Sequence, residues 1–498
     1  MSDPSTDLPA DPDRPGAGAD GPRVVIIGGG PGGYEAALSA ARQHARVTLI
    51  EERGIGGAAV LTDVVPSKTL IATADVLDLV AGSAALGIRD ADAPGPRAGS
   101  VSESLTVDLA AVNRRVRALA EAQSDDIRSG LEAAGVRLIA GRGRFAPGDA
   151  GAAAPHAAGT QSIEVLAADD ACTERVSADV TLIAVGATPR VLPSAEPDGE
   201  RILTWTQLYA LDALPEHLIV VGSGVTGAEF ASAYHALGSE VTLVSSRDQV
   251  LPGSDADAAE LLQRVFERRG ITVRSRSRAA AARRDGEGVV VTLEGGEEIR
   301  GSHALLALGA IPATDGLGLE DAGLRVKPSG HIETDRVSRT SVRGIYAAGD
   351  CTGVYPLASV AAMQGRIAMH HALGEAVSPL ISQQVASAVF TSPEIATVGV
   401  SEADVVSGDV LGEVHTMPLA TNPRAKMQGI REGFVKLIVR PGTHTVIGGV
   451  VVAPRASELI HPITLAIAQR LTAEEVAAVF TVYPSLSGTI AETARRRP

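Results

Sequence analysis

The chain contains the same strand, glycine turn and helix twice, and no other property limits its fold as strongly. Arg23-Val-Val-Ile-Ile runs into Gly28-Gly-Gly30-Pro-Gly-Gly33, and His217-Leu-Ile-Val-Val runs into Gly222-Ser-Gly224-Val-Thr-Gly227. Each turn opens an alanine-rich helical stretch and leads to a second apolar strand, Arg46 to Ile50 and Glu240 to Val244. Each half then closes with one pattern, Leu182-Ile-Ala-Val-Gly186-Ala-Thr-Pro189 and Leu305-Leu-Ala-Leu-Gly309-Ala-Ile-Pro312. A GxGxxG between strand and helix lets backbone amides approach a pyrophosphate, and the helix N-terminus adds partial positive charge. The repeat predicts an α/β chain with two tandem Rossmann-like dinucleotide-binding domains.

The two copies differ where a ribose would be read. In the first, Glu51 lies 23 residues after Gly28 and ends the second strand. A carboxylate there grips ribose hydroxyls. In the second, the matching residue is Ser245, followed by Ser246 and Arg247. A carboxylate would repel a 2′-phosphate, whereas two hydroxyls and a guanidinium suit one. The first site is expected to hold the adenosine half of FAD through Gly28, Gly30, Gly33 and Glu51. The second is expected to accept NADPH at least as well as NADH, through Gly222, Gly224, Gly227, Ser245, Ser246 and Arg247. A third segment, Ile345-Tyr-Ala-Ala-Gly349-Asp350, ends a strand in Gly-Asp and offers a second carboxylate to a large dinucleotide. Gly57, Gly309 and Gly349 are further turn glycines expected beside the cofactors.

Composition narrows the partners. Acidic residues outnumber basic ones 59 to 44, for a net charge of −15, which argues against nucleic acid or an anionic membrane surface. The two cysteines, Cys172 and Cys351, have neither metal nor disulfide spacing, so a reducing cytoplasm is expected. The first residues show no basic region followed by an apolar core, so no signal peptide is expected. The most apolar stretch, Val24 to Ala41, is broken by glycines and Glu35. It reads as strand, turn and helix, not as an integral membrane span. Residues 1–22 are expected to form a disordered tail, and 90–100 and 147–160 to form mobile loops. Val107 to Glu132 reads as one helix capped by Asp108. Beyond about residue 381, strands such as Phe434 to Val439 and a helix from Ala456 to Leu471 predict a separate α+β domain.

In their order, these motifs resemble the flavoprotein disulfide reductases, the group of dihydrolipoamide dehydrogenase and glutathione reductase. The resemblance runs from residue 23 to 495 and includes Phe390-Thr-Ser-Pro393-Glu394 and Asn422-Pro-Arg424. It implies a homodimer with an FAD domain at 23–195, an NAD(P) domain at 196–313, a central domain at 314–380 and a dimerisation domain at 381–498. It implies that Asp350 meets the FAD ribitol, that Lys68 lies beside flavin N5, and that Glu229 is the ion-pair partner of Lys68. Positive charge there stabilises anionic reduced flavin.

The departures concern one function. Where the family carries Cys-x4-Cys ahead of Pro-Ser-Lys, this chain has Ala59 and Val64 ahead of Pro66-Ser67-Lys68. Neither can attack a disulfide. Where the family has a C-terminal His–Glu dyad, this chain has Tyr483 and Gly488. Tyrosine, titrating near pH ~10, is a poor base at neutral pH. The parts for hydride transfer, Lys68 and Glu229, remain.

The Ala58-Ala-Val-Leu-Thr-Asp63 variant is similar to a bacterial offshoot of the family that acts as NAD(P)H:quinone reductases. The resemblance implies a quinone acceptor near Ala59 and Val64, with Tyr483 reaching that site from the other subunit. Two other readings use the same residues: a soluble transhydrogenase, and a binding protein that keeps FAD as a structural element.

Overall fold

The computed structural model describes residues 21–88, 105–147 and 160–496. The expected tail and the two expected loops fall almost wholly outside the described residues. The chain forms two compact units. One comprises Met1–Gly57, Ser124–Gly186 and Pro312–Leu380; the other comprises Ala58–Gln123, Ala187–Ile311 and Ile381–Pro498.

The first unit is built on five parallel strands in the order Ile345–Ala347, Val180–Ile183, Arg23–Ile27, Arg46–Glu51, Arg137–Ala140. Val24, Val25, Ile26 and Ile27 are at most 3% exposed, as a central strand covered on both faces requires. Chain order reverses across this strand, so the glycine turn that follows it lies at the switch point of the sheet, where open α/β sheets bind ligands. The helix Pro31–Arg42 packs on Ala358–Ala372 at very close range. A Cβ on Gly365 would lie 2.1 Å from the Gly32 carbonyl oxygen.

The second unit repeats the device. Its parallel sheet runs Thr272–Arg274, Glu240–Val244, His217–Val221, His303–Leu306, Ile202–Thr204. A five-stranded antiparallel sheet in the C-terminal region has Phe434–Val439 beside Val446–Ala453. The helix Val64–Gly82 packs on Val225–Leu237. The stretch Gly57–Leu86 is long and apolar enough to cross a bilayer by length and composition. Leu70, Ile71 and Ala74 of that stretch belong to a core shared with Phe230 and Tyr234, and Lys68 is ion-paired to a buried carboxylate. Those contacts pack one face of the helix Val64–Gly82 into the core, while Val76 and Leu79 stay exposed.

Asp108 caps the helix Leu109–Ala133 as expected, accepting from the Ala111 amide at 2.8 Å. The single helix expected from Ala456 to Leu471 is instead two, Ala456–Leu459 and His461–Gln469. Pro462 has no amide hydrogen to donate, so the helix restarts with proline in its first turn. Arg470, left-handed at φ 55°, ends it.

One cation joins three segments of the second unit. Lys436, with a fully buried side chain, donates to Asp255 and Asp257 at 2.8 Å each and to Glu402. Three carboxylates hold its pKa above the ordinary lysine value against the opposing effect of burial. Lys436→Ala strands Asp255 without a counter-ion. It should destabilise the second unit by about 3–5 kcal/mol, the usual cost of breaking a buried pair, read as a lowered denaturant midpoint with an unchanged slope.

Candidate dinucleotide and flavin sites

Each glycine turn closes backbone on backbone. A Cβ on Gly28 (φ +103°) would lie 2.3 Å from the Ala184 carbonyl oxygen, and one on Gly33 would lie 1.8 Å from that of Gly28. The second turn reproduces this. A Cβ on Gly222 (φ +112°) would lie 2.2 Å from the Ala307 oxygen, and one on Gly227 would lie 1.8 Å from the Gly222 oxygen. Only glycine fits these four positions. Gly30 and Gly224 differ: the first has its nearest atom at 4.0 Å and the second has nothing within 4 Å. Both are helix N-caps without a side-chain cap; in the first helix Pro31 has no amide hydrogen and the Gly33 amide donates to the Gly30 carbonyl at 2.8 Å, which leaves the Gly32 amide for an anion.

In the first unit Glu51 is fixed against its turn. Its Oε2 accepts from the Gly29 amide at 2.5 Å and its Oε1 from the Arg53 amide at 2.6 Å. Gly57 passes over the turn so tightly that its Cβ would meet Gly30 Cα at 2.8 Å. The Gly349 amide donates to buried Gln364 Oε1 at 2.8 Å, a support with no signal in the sequence pattern. Asp350 follows, partly buried. Burial pushes its carboxyl above the usual carboxylate range, with His331 pulling it partly back. Among the described residues none donates a hydrogen bond to this carboxylate. An orphaned carboxylate in the unit that also offers an uncapped helix N-terminus fits FAD, which brings hydroxyl donors and a pyrophosphate.

In the second unit the ribose end is built differently from its sequence reading. Ser245 is fully buried. Its hydroxyl contacts Ser223 Oγ at 2.7 Å and accepts from the Arg247 amide at 3.2 Å. It shapes the turn and is not free for a ligand. Ser246 and Arg247 are exposed, and Arg247 has no carboxylate partner among the described residues. A cavity of about 260 Å³ joins Gly222, Val244 and Ser246 to Ser277 and Arg278. Arg278 has only a loose, exposed pair with Glu294, at 3.6 Å. The alternation Arg274-Ser-Arg276-Ser-Arg278 was the signal for this second basic wall. Gly309, at φ +80°, has nothing within 4 Å of its Cβ position.

Lys68 and Glu229 form the expected pair, Nζ to Oε2 at 2.7 Å, with Glu229 buried and Lys68 partly exposed. Sequence reasoning missed Phe390, whose ring centroid lies 4.8 Å from the Lys68 ammonium. Ala59 lies in the short helix Gly57–Leu61, and Val64 begins Val64–Gly82. Tyr483 is 81% exposed, in an exposed apolar run with Val479, Phe480 and Val482. Gly488 starts the last helix, Gly488–Arg495. A larger cavity in the first unit, about 760 Å³, opens by Val180 and Ile345 at the other ends of the strands and includes no residue of the glycine turn.

Residues 22–365 match the pyridine nucleotide-disulphide oxidoreductase family, and residues 385–494 match the dimerisation domain of the same family. A Mycobacterium tuberculosis NAD(P)H dehydrogenase (quinone) is 53% identical over 95% of this chain and 93% of its own length. A dihydrolipoyl dehydrogenase from Chlorobaculum parvum is 34% identical over 95% of this chain and 96% of its own. The crystal structure of LpdA from Mycobacterium tuberculosis superposes with a TM-score of 0.87 at 52% identity, covering 95% of this chain and 99% of that one. The chain carries the dimerisation domain of the pyridine nucleotide-disulphide oxidoreductase family and belongs to that family, as a flavoprotein with FAD and NAD(P)H as its cofactors.

Proposed function

We propose that this chain is an NAD(P)H:quinone oxidoreductase: NAD(P)H and a proton convert a quinone to its hydroquinone, with FAD carrying the two electrons between them. One observation carries the reading. Ala59 and Val64 stand where the family has its redox thiols, while Lys68 and Glu229 remain joined at 2.7 Å. Electrons that reach the flavin have no thiol to enter and must leave from the flavin itself. The similar mycobacterial enzyme named as a quinone dehydrogenase supports the same acceptor class.

In this reading Gly28, Gly30, Gly33, Glu51, Gly57, Gly349 and Asp350 hold FAD. Lys68 places a fixed positive charge beside the reduced flavin, and Glu229 holds that lysine. Gly222, Gly224, Gly227 and Gly309 receive the nicotinamide nucleotide. Ser246, Arg247 and Arg278 read its ribose end, on the turn that Ser245 organises. The four domains are taken as 23–195, 196–313, 314–380 and 381–498. A flat quinone stacks over the small apolar residues Ala59 and Val64, with Tyr483 of the partner subunit closing the site. The free thiols Cys172 and Cys351 support a cytoplasmic location.

Lipoamide and glutathione disulfide should be turned over only at background rates, and the reduced enzyme should lack a long-wavelength thiolate-to-flavin absorption band. Steady-state assays against a quinone control, with an anaerobic spectrum, check both. Sustained lipoamide turnover would overturn the reading. Arg247→Ala and Arg278→Ala should each raise the NADPH Michaelis constant about tenfold or more, as loss of a charge-assisted contact does, and leave NADH little changed. An unmoved NADPH constant would mean that the phosphate is read elsewhere. Tyr483→Phe or Tyr483→Ala should slow flavin reoxidation by quinone and spare reduction by NADPH, measured as separate half-reactions in rapid mixing. Equal loss in both would assign Tyr483 to FAD retention or dimerisation instead.

A further inference from the structure

Lys68 is restrained from two sides by groups that meet in one residue. Its ammonium donates to Glu229 Oε2 at 2.7 Å and lies 4.8 Å from the centroid of the Phe390 ring. The backbone amide of Phe390 donates to the other oxygen of the same carboxylate, Glu229 Oε1, at 2.9 Å. Phe390 therefore touches both members of the pair, the cation through its ring and the anion through its amide. Two residues on, the Ser392 amide donates to Ser232 Oγ at 3.1 Å, which ties this segment to the helix that carries Glu229.

An ion pair alone fixes a distance and leaves direction loose, because an ammonium can swing around a carboxylate oxygen on a flexible four-carbon stem. An aromatic face attracts the same cation along a second line. Two lines of attraction from different elements leave the ammonium one place. The carboxylate is equally confined, since one oxygen faces the lysine and the other a backbone amide.

We propose that Phe390 is a positioning residue for flavin reduction, holding the Lys68 ammonium with its ring and the Glu229 carboxylate with its amide. The charge presented to the flavin is then set in part by the segment at the start of the dimerisation region. The proposal rests on the assignment of Lys68 to the flavin made above. It assigns Phe390 no proton and no contact with substrate.

Four holoenzymes test it: wild type, Lys68→Met, Phe390→Leu and the double variant. Each is compared by FAD midpoint potential and by the rate constant for flavin reduction at saturating NADPH. Leucine preserves the backbone amide and removes the aromatic face. Phe390→Leu should slow reduction about two- to tenfold, the range of a cation–π contact, and lower the potential. NADPH affinity should hold, and Phe390→Tyr should restore both readouts. In the Lys68→Met background, Phe390→Leu should add nothing. An unchanged potential in Phe390→Leu, or an equal shift with Lys68 absent, overturns the proposal. If the leucine variant loses FAD, Phe390→Trp carries the test: its stronger π-face should raise the potential, and no change overturns the proposal. A Lys68→Met enzyme with wild-type potential would overturn the Lys68 assignment itself. A normal Lys68→Met effect beside an inert Phe390→Leu overturns only the role of Phe390.

Discussion

In each glycine turn the backbone folds onto itself more closely than any side chain permits, and the rest of the molecule is arranged around those two closures. With Gly33 over the Gly28 carbonyl and Gly227 over that of Gly222, each helix begins almost at the end of its strand. Its first amides then point at the space above the sheet's switch point, where a pyrophosphate can lie. A methyl group at any of the four closing glycines would push helix from strand and carry the amides away. Because both turns close in the same way, the proposed assignment has the chain hold two dinucleotides by one physical means, with their identities decided only farther along, at the ribose ends.

Features whose cause is local were legible in the sequence. The glycine turns announce themselves because steric exclusion acts within a few residues. Glu51 followed from its place at a strand end, and its bonds to the Gly29 and Arg53 amides are short-range. The cap by Asp108 is of the same kind. What was not legible depends on partners brought together by folding. The burial of Ser245 depends on Ser223, from the neighbouring strand end. The contact of Phe390 with Lys68 joins opposite ends of the chain. The break in Ala456 to Leu471 is the exception: its cause, Pro462, is local and stands in the sequence, but the apolar periodicity continues through it.

The family's disulfide chemistry has been lost here without loss of the framework around it. Ala59 and Val64 occupy the thiol positions on helices that keep their packing, and Pro66 and Ser67 remain buried behind them. Tyr483 sits in an apolar run, Val479 to Tyr483, left open to solvent within a single chain. That run lies in the region that matches the family's dimerisation domain, and such a patch is where a second subunit gains most by association.

The engagement of Ser245 has a consequence for how this protein can change. Its hydroxyl belongs to the internal bonding of the turn, whereas Ser246 and Arg278 line the cavity and Arg247 stands exposed beside Ser246. On the proposed assignment of these three residues to the ribose end, selectivity between the two nicotinamide nucleotides is uncoupled from foldedness. A lineage or a designer can rewrite the rim one residue at a time, at little thermodynamic risk, and a substitution that flips coenzyme choice need not be rescued elsewhere in the chain.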